Sequence, residues 1–385
     1  MRGDLMSNIE LVERMGLNSV KYEKVDPRMS GDILRMSVAE MDYQVCPQVR
    51  DALIKRIETG FLGYGRPYPS LYQVIADWYN THYQMTLNPN HFITTPSVNV
   101  AVALSILATT KPKDKIILHT PVYMPLAKAI TENDREWVKS PLKLVDTHYE
   151  VDFELLGEQM KDASAILLCS PHNPTGMVFS KEDLVKIVEM SRANHVQIIS
   201  DEIHADWTYC PFTSVQTLDE NAIVILSASK TFNLQSFQTS FTHIEQMDIR
   251  QKFQKILDGF QYKALNSLAY LAIETAYIHG DEWLKKHKGY TFNNMLLIKN
   301  QLQKSNVKVI ENDSLFMMWL DFSNIYTDVA QLEEALIEVN LAVNTSTMFA
   351  ESRPMIRINV ATDTQTVMEA VRRISHMPKV MYEVD

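Results

Sequence analysis

The chain has 385 residues, of which 46% are hydrophobic and 22% charged, and this composition excludes a disordered, collagen-like or coiled-coil protein. Its 37 basic and 47 acidic residues give a formal net charge of -10. Because an acidic chain repels phosphate backbones, we expect no nucleic-acid partner. At about 100–200 residues per domain, the length predicts more than one domain.

The middle of the chain, with the residues that lead into it, alternates helix and strand patterns. An amphipathic helix is indicated at 71–78, and a short apolar strand at 116–118. A continuous apolar strand at 165–169 is followed by Ser180, which is a typical helix N-cap, and by a helical pattern. Two further buried strands are predicted at 196–199 and 222–226. This rhythm predicts an α/β domain with a mostly parallel central sheet.

The last third of the chain indicates a smaller α+β domain. Its predicted elements are a long helix at 283–304, strands at 307–310 and 315–322, a helix at 329–339, strands at 341–343 and 355–360, and a helix at 367–374. We expect residues 48–282 to form the large α/β domain, and residues 1–47 to join residues 283–385 in the small one.

Cysteine and histidine usage points away from metal sites and disulfides. The three cysteines show no CxxC spacing, and the eleven histidines show no metal-ligand spacing. No apolar run approaches the roughly 20 residues that cross a bilayer. The sequence therefore predicts a cytoplasmic protein with no metal and no membrane partner.

Three polar side chains follow three consecutive predicted strands of the large domain. Asn173, Asp201 and Lys230 are separated by 28 and 29 residues, which is the length of one strand–helix unit. Open α/β sheets bind ligands outside the carboxyl ends of their strands, so we expect these side chains to converge on one ligand. A buried lysine is costly unless its pKa is shifted or its amine is used covalently.

Four segments resemble the motifs of fold-type-I pyridoxal-phosphate enzymes. Residues 227–233 resemble the lysine motif of those enzymes, and 170–176 resemble their Asn-Pro-x-Gly loop. Residues 201–204 resemble the strand that carries the cofactor aspartate, and 357–359 resemble the carboxylate-binding arginine segment. The four occur in the family's order, and the resemblance runs from about residue 18 to 374, which is nearly the whole chain.

The chain is most similar to the MalY/PatB-type cystathionine β-lyase branch. The segments that carry this likeness are 39–43, 63–64, 95–98, 121–123, 169–174, 201–204 and 319–322. His204 stands where common aminotransferases usually have tyrosine, and Gln238 stands where they usually have arginine. The resemblance implies a C–S β-lyase that uses pyridoxal 5'-phosphate to cleave cystathionine or related cysteine S-conjugates to a thiol, pyruvate and ammonia.

The resemblance also implies roles for individual residues. Lys230 would hold the cofactor as a Schiff base and then act as general base at the substrate Cα. The other cofactor-binding residues would be Asp201 at the pyridine nitrogen, Asn173 at the ring oxygen, Tyr123 stacked on the ring, and Ser227 with the backbone amides of Val98 and Asn99 at the phosphate. His204 would either tune the ring oxygen or be a core histidine.

The remaining implied roles concern the substrate and a second subunit. Arg357 would clamp the α-carboxylate of an amino-acid substrate, and Ala39 would line its site. Tyr64 would reach the phosphate of the neighbouring subunit, since the family's active sites lie at the interface of a homodimer. Departures from the family pattern occur at Ser97, 235–236 and 351–352, where glycine or Ala-Gly is usual, and they bear on the substrate pocket.

Two other functions use the same residues. An aminotransferase would return a proton to the cofactor instead of expelling a thiolate, and Gln238 and His204 count against it. A cofactor-bound regulatory protein with little turnover is the second alternative, and the substituted segments are what favour it.

Overall fold

The computed structural model describes residues 9–23, 25–262 and 266–378. Its helices are α1 (Val20–Glu23), α2 (Pro47–Glu58), α3 (Leu71–Tyr83), α4 (Val98–Thr109), α5 (Met124–Thr131), α6 (Phe153–Met160), α7 (Lys181–Asn194), α8 (Ala228–Phe232), α9 (Met247–Gly259), α10 (Ser267–His279), α11 (Asp281–Leu302), α12 (Val329–Glu338) and α13 (Thr364–Ser375). Its strands are β1 (Leu34–Arg35), β2 (Phe92–Thr95), β3 (Lys115–Thr120), β4 (Glu136–Pro141), β5 (Lys143–Val145), β6 (His148–Glu150), β7 (Ala165–Cys169), β8 (Gln197–Asp201), β9 (Ile223–Leu226), β10 (Ser240–His243), β11 (Lys308–Val309), β12 (Met317–Asp321), β13 (Leu341–Ala342), β14 (Asn344–Thr345) and β15 (Met355–Asn359).

A seven-stranded sheet forms the centre of the molecule, in the order β2-β10-β9-β8-β7-β3-β4. Strand β10 runs antiparallel to both of its neighbours, and the other pairs are parallel. Every residue of β7 and β9 is buried, as expected for strands that are covered by helices on both faces. The predicted α/β class with a mostly parallel sheet is confirmed.

The helix after β7 begins as its sequence predicts. Ser180 accepts a hydrogen bond from the backbone N–H of Asp183 at 3.0 Å, which satisfies one of the free amides of the first turn of α7. Leu184, Ile187 and Val188 then face the core. A local pattern of cap and apolar spacing was therefore sufficient to locate this element.

The C-terminal part contains a four-stranded antiparallel sheet, ordered β11-β12-β15-β14, with a core shared by α11, α12 and α13. Strand β1 pairs in parallel with β13, so that Leu34 lies opposite Leu341 and Met36 is buried in the same core. This pairing attaches the N-terminal segment to the C-terminal elements. The domain boundaries at 47/48 and 282/283 stay a prediction.

One strand of this part was not predicted. The strand expected at 341–343 is β13, and the residues after it form a separate strand, β14, which belongs to the four-stranded sheet. Asn344 thereby lies opposite Arg357 on β15. Within the described ranges, no helix is both long enough and apolar enough to cross a membrane.

Candidate functional site

A cavity of about 410 Å³ lies at the carboxyl ends of the central strands, between the two sheets. The sequence-predicted residues that line it are Ala39, Val98, Asn99, Tyr123, Asn173, Asp201, His204, Lys230 and Arg357. Asp201 is the last residue of β8, and Asn173 and Lys230 follow β7 and β9 within four residues. Because parallel strands end at the same edge of a sheet, side chains from distant positions meet there.

Lys230 is held at this cavity by a short helix. Ser227 caps α8 by accepting a hydrogen bond from the N–H of Ser229 at 3.1 Å, directly after β9 ends. The Nζ atom of Lys230 donates to the carbonyl oxygen of Ala39 at 2.6 Å. Burial, together with the charge of Arg357, lowers the pKa of Lys230 to about 8. The uncharged amine is therefore far more populated near neutral pH than in an ordinary lysine, and this is the form that acts as a nucleophile or base.

Asp201 and His204 are buried on the same side of the cavity. Burial raises the pKa of Asp201 to about 7, against the opposing effects of the backbone N–H of Ile203 and the charge of Lys230. Burial also holds the pKa of His204 well below its usual range. The Nδ1 atom of His204 has no hydrogen-bond partner in the described part of the chain. A buried polar atom without a partner beside a cavity is suited to a ligand.

Arg357 carries a buried positive charge on the opposite wall. Its guanidinium donates to the side-chain oxygens of Asn173 at 2.9 Å and Asn344 at 3.0 Å, and it lies 4.8 Å from the ring centre of Phe349. Burial lowers the pKa of Arg357 to about 10. None of the described carboxylates forms an ion pair with it. Since a buried guanidinium is costly without a counter-charge, this one is suited to binding an anion from solution.

Helix α4 begins at the cavity with Val98 and Asn99, whose first-turn amides have no acceptor within the helix. Ser97 replaces the family's usual glycine without strain, because its φ of -171° is an extended conformation that any residue adopts. Its Oγ accepts from the N–H of Val100 at 3.2 Å. This substitution therefore adds an N-cap to α4.

Two predicted residues lie outside the lining of this cavity. The hydroxyl of Ser227 is buried and donates to the carbonyl oxygen of Thr239 at 2.6 Å, and the neighbouring Ser229 lines the cavity instead. Tyr64 belongs to a surface loop and is fully exposed beside a separate cavity formed with Leu62 and Ser267.

The lining also contains residues to which the sequence assigned no role. Gln235 donates to the carbonyl oxygen of Ala39 at 3.3 Å, so it shares this acceptor with Lys230. Gln235 and Gln238 both line the cavity. In the sequence they depart from family motifs, and these departures were the signal that could have placed them in the site. Asn344 had no such pattern, because its position depends on the pairing of β14 with β15.

Comparison with known proteins defines the class. The aminotransferase class I and II family matches residues 31–374, so the chain belongs to this family. Among curated relatives, it is 31% identical to cystathionine β-lyase PatB of Bacillus subtilis over 377 residues, covering 94% of this chain and 97% of the relative. It is 27% identical to protein MalY of Escherichia coli over 368 residues, covering 91% and 93% of the two chains.

Solved structures give the same class. Cystalysin from Treponema denticola, which contains a pyridoxal 5'-phosphate cofactor, is similar with a TM-score of 0.91 and 28% identity, covering 95% of this chain and 97% of that one. The C–S lyase of Staphylococcus hominis shares the fold with a TM-score of 0.88 at 24% identity, covering 95% and 96% of the two chains. The MalY/PatB resemblance drawn from the motifs is confirmed.

Proposed function

We propose that this chain is a pyridoxal-phosphate-dependent C–S β-lyase that cleaves cystathionine or related cysteine S-conjugates to a thiol, pyruvate and ammonia. The observation that carries the proposal is the meeting of Lys230, Asp201 and Arg357 at one cavity. An amine, an acid and an anion-binding guanidinium are the groups that this chemistry requires of the protein. The relatives named for this activity support the same reaction.

The residues around the cavity fit the cofactor. The first-turn amides of α4 and the hydroxyl of Ser229 would hold its phosphate, and Tyr123, which lines the cavity, would contact the ring. Asp201 would face the ring nitrogen, with Asn173 and His204 near the ring oxygen. Bound there, the cofactor would supply an aldehyde that captures amines and a ring that withdraws electrons from the substrate Cα.

The side chains of the protein would perform the remaining steps. Arg357 would bind the substrate carboxylate, and its two asparagine partners keep the guanidinium oriented before substrate arrives. Lys230 would accept the Cα proton, since burial keeps a fraction of its amine neutral. Asp201 would hold the ring-nitrogen proton through its carboxylate. Departure of the thiolate from Cβ then breaks the C–S bond, and water hydrolyses the aminoacrylate that remains to pyruvate and ammonia.

The direct test is pyruvate release from L-cystathionine by the purified holoenzyme. We expect wild-type protein to release pyruvate, Lys230→Ala to release none, and Lys252→Ala, which removes an exposed lysine of α9, to match wild type. The protein would instead be an aminotransferase if ordinary amino acids convert the bound cofactor to its amine form and no cysteine conjugate yields pyruvate. Bound cofactor with no turnover, together with capture of a specific partner, would establish the regulatory protein.

We also propose that the protein is a cytoplasmic homodimer. Tyr64 is fully exposed, and other large apolar side chains of the same region are exposed with it, namely Ile54, Ile57, Phe61 and Leu62. Contiguous exposed apolar surface is typical of an interface, and a second copy would bring Tyr64 to the phosphate end of its partner's cavity. The free cysteines Cys46, Cys169 and Cys210 support a reducing compartment. Sedimentation of wild type and Tyr64→Ala tests whether the protein is a dimer. Cofactor retention after dialysis tests whether Tyr64 helps to hold the phosphate.

A further inference from the structure

Two histidines and a glutamate meet at an edge of the central sheet. His91 precedes β2, His243 ends β10, and Glu245 follows two residues later. Strands β2 and β10 are antiparallel with Phe92 opposite His243, so their pairing brings together side chains that lie far apart in sequence. One ligand atom from each of the three side chains lies within 4.8 Å of the others. Linear spacing could not predict this group.

The three atoms lie close enough together to share one metal ion. The Nδ1 atom of His91 lies 2.9 Å from Oε2 of Glu245, and Nε2 of His243 lies 4.0 Å from the same oxygen. Ligands at the usual zinc distances of roughly 2.0–2.2 Å are about 3.3–3.5 Å apart. The two distances lie on either side of this value, and the side chain of Glu245 is 39% exposed and free to adjust.

The ring nitrogens are in suitable states for coordination. The backbone N–H of Asn88 donates to Nε2 of His243 at 3.1 Å, so Nε2 is unprotonated. A metal ion would take this lone pair in place of the N–H of Asn88, which belongs to an exposed residue that water can reach. Nδ1 of His243 therefore carries the proton, and it is buried without a partner in the described ranges.

His91 is held between Asn88 and Glu245. The side-chain Nδ2 of Asn88 lies 3.1 Å from Nε2 of His91, and the Oδ1 of the same amide accepts from the backbone N–H of Asn90 at 3.0 Å. These contacts keep Nδ1 of His91 turned toward Glu245. Partners on the far side of the ring orient most metal-bound histidines. The cation nearby, Arg250, is fixed by hydrogen bonds to the carbonyl oxygens of Ile244 and Glu245.

We propose that His91, His243 and Glu245 form a binding site for one divalent transition-metal ion, with zinc as the expected ion. Two imidazoles and one carboxylate suit zinc, and the exposed side leaves the fourth position to water. The site is separate from the proposed active site. Ser240 begins β10 beside the cavity-lining Thr239, and His243 lies three residues further along the strand, about 10 Å away. The ion would therefore cross-link β2 to the end of β10 and stabilise this sheet edge without entering the reaction.

The test is a zinc titration of chelator-treated holoenzyme in a non-coordinating buffer, with free zinc read by a chromogenic competitor. We expect wild-type protein to bind one equivalent of zinc. The variants His91→Ala and Glu245→Gln should bind zinc at least about tenfold more weakly. The matched control is His148→Ala, which removes an exposed histidine paired to Glu150 elsewhere and should bind zinc as wild type does. Both substituted ligands are partly exposed, so these variants should fold.

A second readout separates this site from others that attract zinc. Zinc should raise the melting temperature of wild type and His148→Ala, and should leave that of His91→Ala unchanged. The proposal is overturned if wild type shows no saturable binding. It is also overturned if all the variants bind equally, because zinc would then be held by cysteines or by the cofactor cavity. Pyruvate release should be the same with and without zinc, and a strict requirement for zinc would contradict the cross-linking role.

Discussion

Replacing Asn344 by aspartate should weaken substrate binding by neutralising Arg357. The side-chain oxygen of Asn344 accepts from Arg357 at 3.0 Å and from the backbone N–H of Val38 at 3.2 Å. Aspartate keeps both acceptors, so the backbone of Val38, with its left-handed φ of 47°, stays held. The change therefore adds one negative charge at the guanidinium and keeps both of these hydrogen bonds. It removes only the contact that the side-chain nitrogen of Asn344 makes with the sulfur of Met348 at 3.2 Å.

The size of the effect follows from the charge separation. Opposite charges about 4 Å apart attract by about 1 kcal/mol in water and about 4 kcal/mol at an effective dielectric constant of 20. Asn344 is half-buried, so we expect an intermediate cost of about 2 kcal/mol for a substrate carboxylate that must displace the new one. This corresponds to a roughly thirtyfold increase in KM. The value of kcat should change little, because Lys230 and Asp201 are untouched.

The assay is steady-state pyruvate release by Asn344→Asp, with Asn324→Asp as the matched control. Asn324 is an exposed residue of the same part of the chain, so its replacement adds the same net charge away from Arg357. Binding of a substrate analogue that lacks the α-carboxylate should be unchanged in both variants. A KM within twofold of wild type for Asn344→Asp, or an equal increase for Asn324→Asp, would refute the assignment of Arg357 as the carboxylate site.

Two further predictions concern Lys230 and Asp206. The pKa of Lys230 is lowered to about 8, and only the neutral amine can capture an aldehyde. The rate of cofactor uptake by the apoprotein should therefore increase as pH rises through about 8 and then level off. Stopped-flow absorbance measures this rate, and a rate independent of pH would contradict the prediction. Asp206 accepts hydrogen bonds from Trp78 at 3.0 Å, Tyr83 at 2.7 Å and Thr231 at 2.6 Å, so Asp206→Ala leaves three donors unpaired. Each hydrogen bond to a charged group contributes about 1.5–3 kcal/mol, so we expect the free energy of unfolding, measured in urea, to fall by at least about 3 kcal/mol. A decrease below about 1 kcal/mol would show that water replaces the carboxylate.

Local pattern was enough to place the central strands and the polar residues that follow them. Apolar runs with no alternation indicated β7 and β9, because strands covered on both faces bury every side chain. The positions of Asn173, Asp201 and Lys230 then followed from a rule about strand ends, which needs no knowledge of which strands are neighbours. Their meeting at one cavity is the part of the site that the amino-acid order predicted from residues alone.

Tertiary structure decided the contacts that depend on pairing between distant segments. Asn344 meets Arg357 only because β14 adds to the edge of β15, and the strand predicted from sequence ended at residue 343. His91 meets His243 only because β10 turns antiparallel beside β2. The alternation of apolar residues limits the register of a strand pair, but the pattern of one strand does not say which distant strand is its neighbour. Sequence determined which groups end each strand, and the fold determined which of them touch.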